Sequence, residues 1–116
     1  MEQLVFVYGS LRQGAHCHER MAGAHFLGFE QTPPIYAFYS LGLYPAAVEG
    51  GNQRLLGEIY RVNPLQLELL DQFERYPDLY QRSRIPSRYG HSWIYTMPRP
   101  PADGRLLGHG DWLLEI

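Results

Sequence analysis

The stretch "EIYRVNPLQLELLDQFERYPDLYQR", residues 58 to 82, decides the fold. It opens as a strand, turns into a helix at one proline and leaves that helix before another. The strand extends back to Arg54 as "RLLGEIYRV" (54–62), with Leu56, Ile59 and Tyr60 among its apolar positions. Gly57 inside this run predicts a bulge or a close approach of another backbone. Asn63 suits the N-cap, because its side-chain oxygen can accept from a backbone N–H that the first helical turn leaves unpaired. Pro64 fits the first helical position, where its missing N–H costs nothing. Gln66, three residues past the cap, completes a capping box with Asn63. The helix then runs to about Glu74 or Arg75, and Pro77 stops it.

Turning this helix by about 100° per residue from Leu65 sorts its side chains. Leu69 falls near about 40°, Phe73 near about 80°, Leu70 near about 140° and Leu67 near about 200°, which predicts the core-facing arc. Arg75, Glu68 and Gln72 face water, and Asp71 lies at the edge. Glu74 lands near about 180°, between Leu70 and Leu67, where an amphipathic helix would carry another leucine. A carboxylate held there loses hydration, so its pKa rises from near 4.3 toward roughly 6 or 7, where it can both take and give a proton. The structural alternative is a fraying last turn, with Glu74 in solvent or paired with Arg75, Arg82 or Arg84.

The other segments build a sheet around this helix. "QLVFVY" (3–8) reads as a buried strand stopped by Gly9. "GSLRQGAHCHERMAG" (9–23) reads as a loop with a short helix near residues 16 to 22, and "AHFLGFEQ" (24–31) as a strand ended by Pro33 and Pro34. "IYAFYSLGLYPAAVEG" (35–50) predicts strand, turn, strand. "YQRSRIP" (80–86) and "HSWIYTM" (91–97) form a hairpin across "SRYG" (87–90), and the tail makes a proline-rich bend and an apolar end. About six short strands and one good helix predict an α+β fold: a mainly antiparallel sheet, curled toward a barrel, with the helix packed on it.

The 116 residues suffice for one domain spanning 1–116, and 45% hydrophobic against 19% charged residues allow a core. A formal charge of −2 points to neither nucleic acid nor an anionic membrane. All ten basic residues are arginine. Cys17 is the only cysteine, which rules out an internal disulfide and fits a reducing cytoplasm. The first ten residues lack the basic and long apolar segments of a signal peptide. No stretch reaches the length of an apolar membrane span.

A second unusual stretch is "VFVYGSLRQG" (5–14), where a buried strand ends abruptly in Tyr8-Gly9-Ser10-Leu11. Glycine permits backbone conformations closed to other residues and lets a ligand come close. Successive N–H groups in such a turn can form a concavity for an anion.

Taken together, "LVFVYGSLRQG", "GEIYRV", "LDQFERYPDLYQR" and the ending "GDWL" resemble the γ-glutamylcyclotransferase-like family over essentially the whole chain. The likeness is nearest to its γ-glutamylamine branch and to small bacterial relatives. The resemblance implies a small mixed barrel and a cytoplasmic enzyme without metal or organic cofactor. It implies a reaction in which the α-amine of a γ-glutamyl group attacks that group's own γ-carbonyl, giving 5-oxoproline and a free amine or amino acid. The family's acid/base in the motif Leu-Asp-x-x-Glu falls on Glu74. Its substrate loop falls on Tyr8, Gly9, Ser10 and Leu11, and Tyr80 is placed at the cavity wall. Many members carry glycine after the glutamate; this chain carries Arg75.

Other groupings carry less. His16, Cys17 and His18, with His25 nearby, match no zinc spacing and read as loop histidines, with no metal expected. No Cys-His-Asn order supports a thiol hydrolase. Asp111 beside His109 reads as a capped turn, and Arg82, Arg84 and Arg88 as a solvated strand face, one of which could meet an acidic substrate. The rival to catalysis is a non-catalytic module of the same fold that binds a small acidic metabolite or a protein partner. The partner implied by the resemblance is a small γ-glutamyl compound.

Overall fold

The computed structural model describes residues 2–116. Eight strands and one α-helix follow in the order β1 (Gln3–Val7), β2 (His25–Gln31), β3 (Tyr36–Ser40), β4 (Pro45–Glu49), β5 (Leu56–Val62), α1 (Pro64–Phe73), β6 (Gln81–Ile85), β7 (Ser92–Thr96) and β8 (Arg105–Leu106). Single 3-10 turns span His18–Met21 and Trp112–Glu115. The predicted α+β class holds, but the barrel does not close. Five strands form one sheet in the order β2-β5-β1-β7-β6, and three form another in the order β4-β3-β8. Both sheets keep open edges. The sheets touch where Met97 N donates to Ala47 O at 2.9 Å.

β1 is the centre of the molecule. It pairs antiparallel with β5 and parallel with β7, so both of its edges are satisfied. Val5 and Val7 point into the core shared with Leu67 and Leu70 of α1, while Phe6 and Tyr8 point into the other, around Phe38 and Trp112. This two-residue alternation explains why the strand reads as a continuous apolar run. Gly57 faces β1 closely: a Cβ there would sit 2.4 Å from the Val7 carbonyl oxygen. The close approach is the correct reading of that glycine, and the bulge belongs to the neighbouring β2, between Phe26 and Gly28.

The helix starts as its sequence predicts. Asn63 Oδ1 accepts from Gln66 N and Gln66 Oε1 accepts from Asn63 N, both at 2.8 Å. Its buried arc is narrower than the wheel suggests. Leu67 and Leu70 are buried, each contributing roughly 1.5–3 kcal/mol, but Leu65 and Leu69 stand 64% and 54% exposed. The helix therefore docks along one edge, and the arc recentres on the direction of Glu74.

The strand at 80–97 is the predicted hairpin, β6 with β7. Its arginines are not one solvated face. Arg82 lies 3.0 Å from Asp71 and stacks over Tyr76 and Trp93; Arg84 stacks over Trp93 and Arg88 pairs loosely with Glu30. The tail adds the short strand β8 and the 3-10 turn, where Asp111 caps Leu113 N at 3.1 Å and Trp112 is fully buried. No described helix is long and apolar enough to cross a membrane.

Candidate active site

Beyond β1, Tyr8, Gly9, Ser10, Leu11 and Arg12 are all buried. The loop folds back on itself. Arg12 N donates to Gly9 O at 3.0 Å, Cys17 N to Ser10 O at 2.9 Å, and His18 sets Nδ1 2.9 Å from Leu11 O. Three successive carbonyls are thus occupied. The N–H groups of Ser10 and Leu11 have no protein acceptor among the described residues. Gly9 is needed for a different reason than its sequence suggests. Its φ is outside the left-handed region, and a Cβ there would come within 2.4 Å of Pro45 Cγ. The glycine lets the loop lie against the start of β4.

A buried ion network underlies the loop. Arg12 Nε lies 3.1 Å from Glu58 Oε2 and its Nη1 lies 2.8 Å from Asp111 Oδ1. Glu58 also accepts from Gln13 N at 3.0 Å and from the Tyr60 hydroxyl at 2.9 Å. Sequence reading missed these residues. The signal was present, because Glu58 is a carboxylate inside an apolar strand.

Glu74 approaches from the opposite side, at the end of α1. The helix closes in a Schellman arrangement: Tyr76 N donates to Asp71 O at 2.9 Å and Arg75 N to Gln72 O at 3.1 Å. This requires a left-handed residue after the cap, and Arg75 takes φ 54°. Glycine adopts that conformation without the clash a Cβ creates. The turn leaves Glu74 beside the core. Its carboxylate enters no hydrogen bond or ion pair among the described residues, and burial raises its pKa to about 7. Of the arginines that could have neutralised it, Arg82 is held by Asp71 and Arg84 reaches Gln3, while Arg75 makes no ion pair with it among the described residues. Asp71 is a second missed residue, also accepting from the Tyr95 hydroxyl at 2.6 Å.

Glu74 and the loop line one cleft, of about 380 Å³ counted out to its mouth, with Tyr44, Pro45, Tyr80 and Tyr95. Tyr8, Gly9, Ser10, Leu11 and Tyr80 therefore meet Glu74 around a single space. The phenols fix the walls. Tyr8 donates to Tyr95 O at 2.7 Å while accepting from Ala47 N at 3.2 Å, and Tyr80 donates to Pro45 O at 2.9 Å. Burial, then the neighbouring charge of Glu74 among other groups, holds Tyr8 and Tyr80 well above the ordinary phenol range, so both stay protonated. Apart from Glu74 no ionisable group other than these phenols lines the cleft. An anion entering it meets no cationic side chain, only N–H and hydroxyl donors.

His16, Cys17 and His18 stay outside the cleft. His16 packs against Tyr44, Cys17 is buried, and no group of metal-ligating side chains gathers among the described residues.

Comparison with known proteins identifies the family. The family described as Gamma-glutamyl cyclotransferase, AIG2-like, matches residues 5–114. The chain is 39% identical over 109 residues to the γ-glutamylcyclotransferase family protein YtfP of Escherichia coli, covering 94% of this chain and 95% of that one. It is 38% identical over 90 residues to γ-glutamylaminecyclotransferase A of Danio rerio, covering 70% of this chain and 56% of that protein. The crystal structure of the uncharacterized protein PH0828 from Pyrococcus horikoshii superimposes with a TM-score of 0.84 at 28% identity, over 97% of this chain and 94% of that one. The chain belongs to the γ-glutamyl cyclotransferase, AIG2-like family.

Proposed function

We propose that this protein converts a γ-glutamyl amide to 5-oxoproline and a free amine or amino acid, with Glu74 as its proton carrier. The observation that carries this reading is the unpartnered Glu74 carboxylate, poised at a pKa of about 7, facing the Tyr8–Leu11 loop across one cleft.

The reaction needs little from the protein beyond position and protons. Ionised Glu74 takes a proton from the substrate's α-ammonium. The freed nitrogen attacks the γ-carbonyl carbon and closes a five-membered ring. The γ-carbon–nitrogen amide bond then breaks as protonated Glu74 gives its proton to the departing nitrogen. Glu74, ionised again, takes the second proton that the ring nitrogen sheds and passes it to the released amine, so that 5-oxoproline and an ammonium leave. Nucleophile and electrophile belong to one molecule, so holding the reactive rotamer supplies several kcal/mol of the barrier. The free N–H groups of Ser10 and Leu11 receive an anionic substrate oxygen, either the α-carboxylate or the developing oxyanion. Tyr8 and Tyr80, tied to backbone, shape the walls and take no proton. No metal or organic cofactor has a role in this scheme.

The test is 5-oxoproline release from a panel of γ-glutamyl compounds, with Glu74→Gln as the control. The variant keeps shape and loses the titrating group, so turnover should fall by about 10²–10⁴-fold with the fold intact. Near-normal turnover by Glu74→Gln removes Glu74 from the mechanism. Tight binding without turnover by the wild type makes the protein a metabolite-binding module.

A further inference from the structure

Glu74, Tyr44 and Tyr80 also border a second cleft, of about 600 Å³ counted out to its mouth. These three residues are common to the linings of the two spaces. The second cleft is otherwise lined by Leu41, Phe73, Leu79 and Met97, with Arg75 as its one cationic residue. Its apolar walls are not closed by protein: Leu79 and Tyr44 stand 39% and 41% exposed. Arg75 enters no ion pair or hydrogen bond through its guanidinium among the described residues. A further cation, Arg20, sits 4.4 Å over the Phe73 ring behind that wall.

Building on the cyclotransferase reading, we propose that this second cleft takes the leaving group, and that the preferred leaving group is an apolar α-amino acid bound through its carboxylate to Arg75. Position carries the first half. In the cyclisation the leaving nitrogen receives its proton from Glu74, so the leaving group starts beside Glu74. The second space that Glu74 borders is this cleft. Chemistry carries the second half. The α-carboxylate of an amino acid is two bonds from its nitrogen, and Arg75, the chain neighbour of Glu74, lines the same cleft. A guanidinium holds a carboxylate by charge-assisted hydrogen bonds. The side chain then meets leucine, phenylalanine and methionine. A leaving group with a distal ammonium, such as lysine released through its ε-amine, whose α-ammonium lies at the far end, or a polyamine, would set a cation against apolar walls and near Arg75. Both contacts are unfavourable.

The test compares initial rates of 5-oxoproline formation from five substrates: γ-glutamyl-leucine, γ-glutamyl-phenylalanine, γ-glutamyl-isopentylamide, ε-(γ-glutamyl)-lysine and γ-glutamyl-putrescine. The isopentylamide is the leucine compound without its carboxylate. Wild type should favour the two dipeptides over it by about 10- to 100-fold in kcat/KM, the scale of a charge-assisted hydrogen bond, and the cationic compounds should be poorer still. Arg75→Asn, which tolerates the left-handed backbone, should lose about 10-fold more on the dipeptides than on the isopentylamide, through KM, and Arg75→Lys should recover part of it. Equal or better turnover of the cationic compounds, or equal losses on all substrates in Arg75→Asn, overturns this assignment and leaves the cyclotransferase reading standing. Absence of 5-oxoproline from every compound overturns both.

Discussion

Arg12 and Glu58 meet as a 3.1 Å ion pair with side-chain exposures of 6% and 1%, at the base of the loop that faces Glu74. A buried pair adds little net stability over an apolar pair, but removal of one member strands the other charge in a medium that solvates it poorly. Removal of Glu58 would leave Arg12 with Asp111 alone and would strip the Gln13 N–H and the Tyr60 hydroxyl of their buried acceptor.

Glu58→Ala should therefore lower the free energy of unfolding by about 3–5 kcal/mol, read from urea denaturation. Glu58→Gln, which keeps the acceptor for Gln13 and Tyr60, should cost less. If both cost under about 1 kcal/mol, the network does not anchor the loop.

The helix and its ends were readable because capping chemistry is local. Asn63, Pro64 and Gln66 announce the start within four residues, and Pro77 the stop. The placement of Glu74 was readable because helical phase is local too. What periodicity cannot give is the width of the surface beneath a helix, so Leu65 and Leu69 were assigned to the core although the sheet does not extend under them. Pairings across long separations were equally silent. Nothing in "QLVFVY" states that β1 joins β7 in parallel, and a two-residue strand such as β8 has no period to detect. Arg12 and Asp71 read as ordinary surface charges until the partners 46 and 24 residues away are known.

Glu74 ties activity to pH. Its carboxylate must be ionised to accept the α-ammonium proton, so kcat/KM should rise from pH 5 and level off with an apparent pKa of about 7. A profile already flat from pH 5 would mean that another group takes the proton.

The same shift ties Glu74 to stability, with the opposite trend. Folding raises this pKa from 4.5 to about 7, so the native state holds the proton more tightly than the unfolded chain. Stability from this group is fully present below about pH 4.5 and is lost as pH rises through about 7. Glu74→Gln has no such dependence. The difference between variant and wild type should grow in favour of the variant by up to about 3 kcal/mol between pH 4.5 and 8, measured by urea titration at each pH. A constant difference would show that the carboxylate is well solvated.

Arg75 sits at φ 54° in a position where glycine is free of strain. Arg75→Gly should raise the unfolding free energy by about 1 kcal/mol, because the Cβ clash with the following carbonyl outweighs the added freedom of the unfolded chain. Denaturation midpoints at constant m-value decide it, and a loss of stability would mean that the guanidinium itself holds the helix end.

Gly9 offers the sharpest link between packing and chemistry. A methyl group at this position would come 2.4 Å from Pro45 Cγ and 2.9 Å from its Cδ, both in a rigid ring that begins β4. Pro45 cannot yield freely, because its carbonyl accepts the Tyr80 hydroxyl on the far wall of the cleft. The loop must move instead, carrying the Ser10 and Leu11 N–H groups with it. Gly9→Ala should cost about 1–3 kcal/mol, the range for overpacking a tight contact. It should also lower kcat/KM for 5-oxoproline formation by about 10²-fold, since displacements near 1 Å have that effect on oriented groups. Because Gly9 has no left-handed φ to lose, any substitution acts through this contact alone. Pairing Gly9→Ala with Pro45→Ala, which removes the colliding Cγ and Cδ, should therefore restore part of the stability. A double variant no better than Gly9→Ala would place the requirement for glycine in the backbone and not in its fit against Pro45.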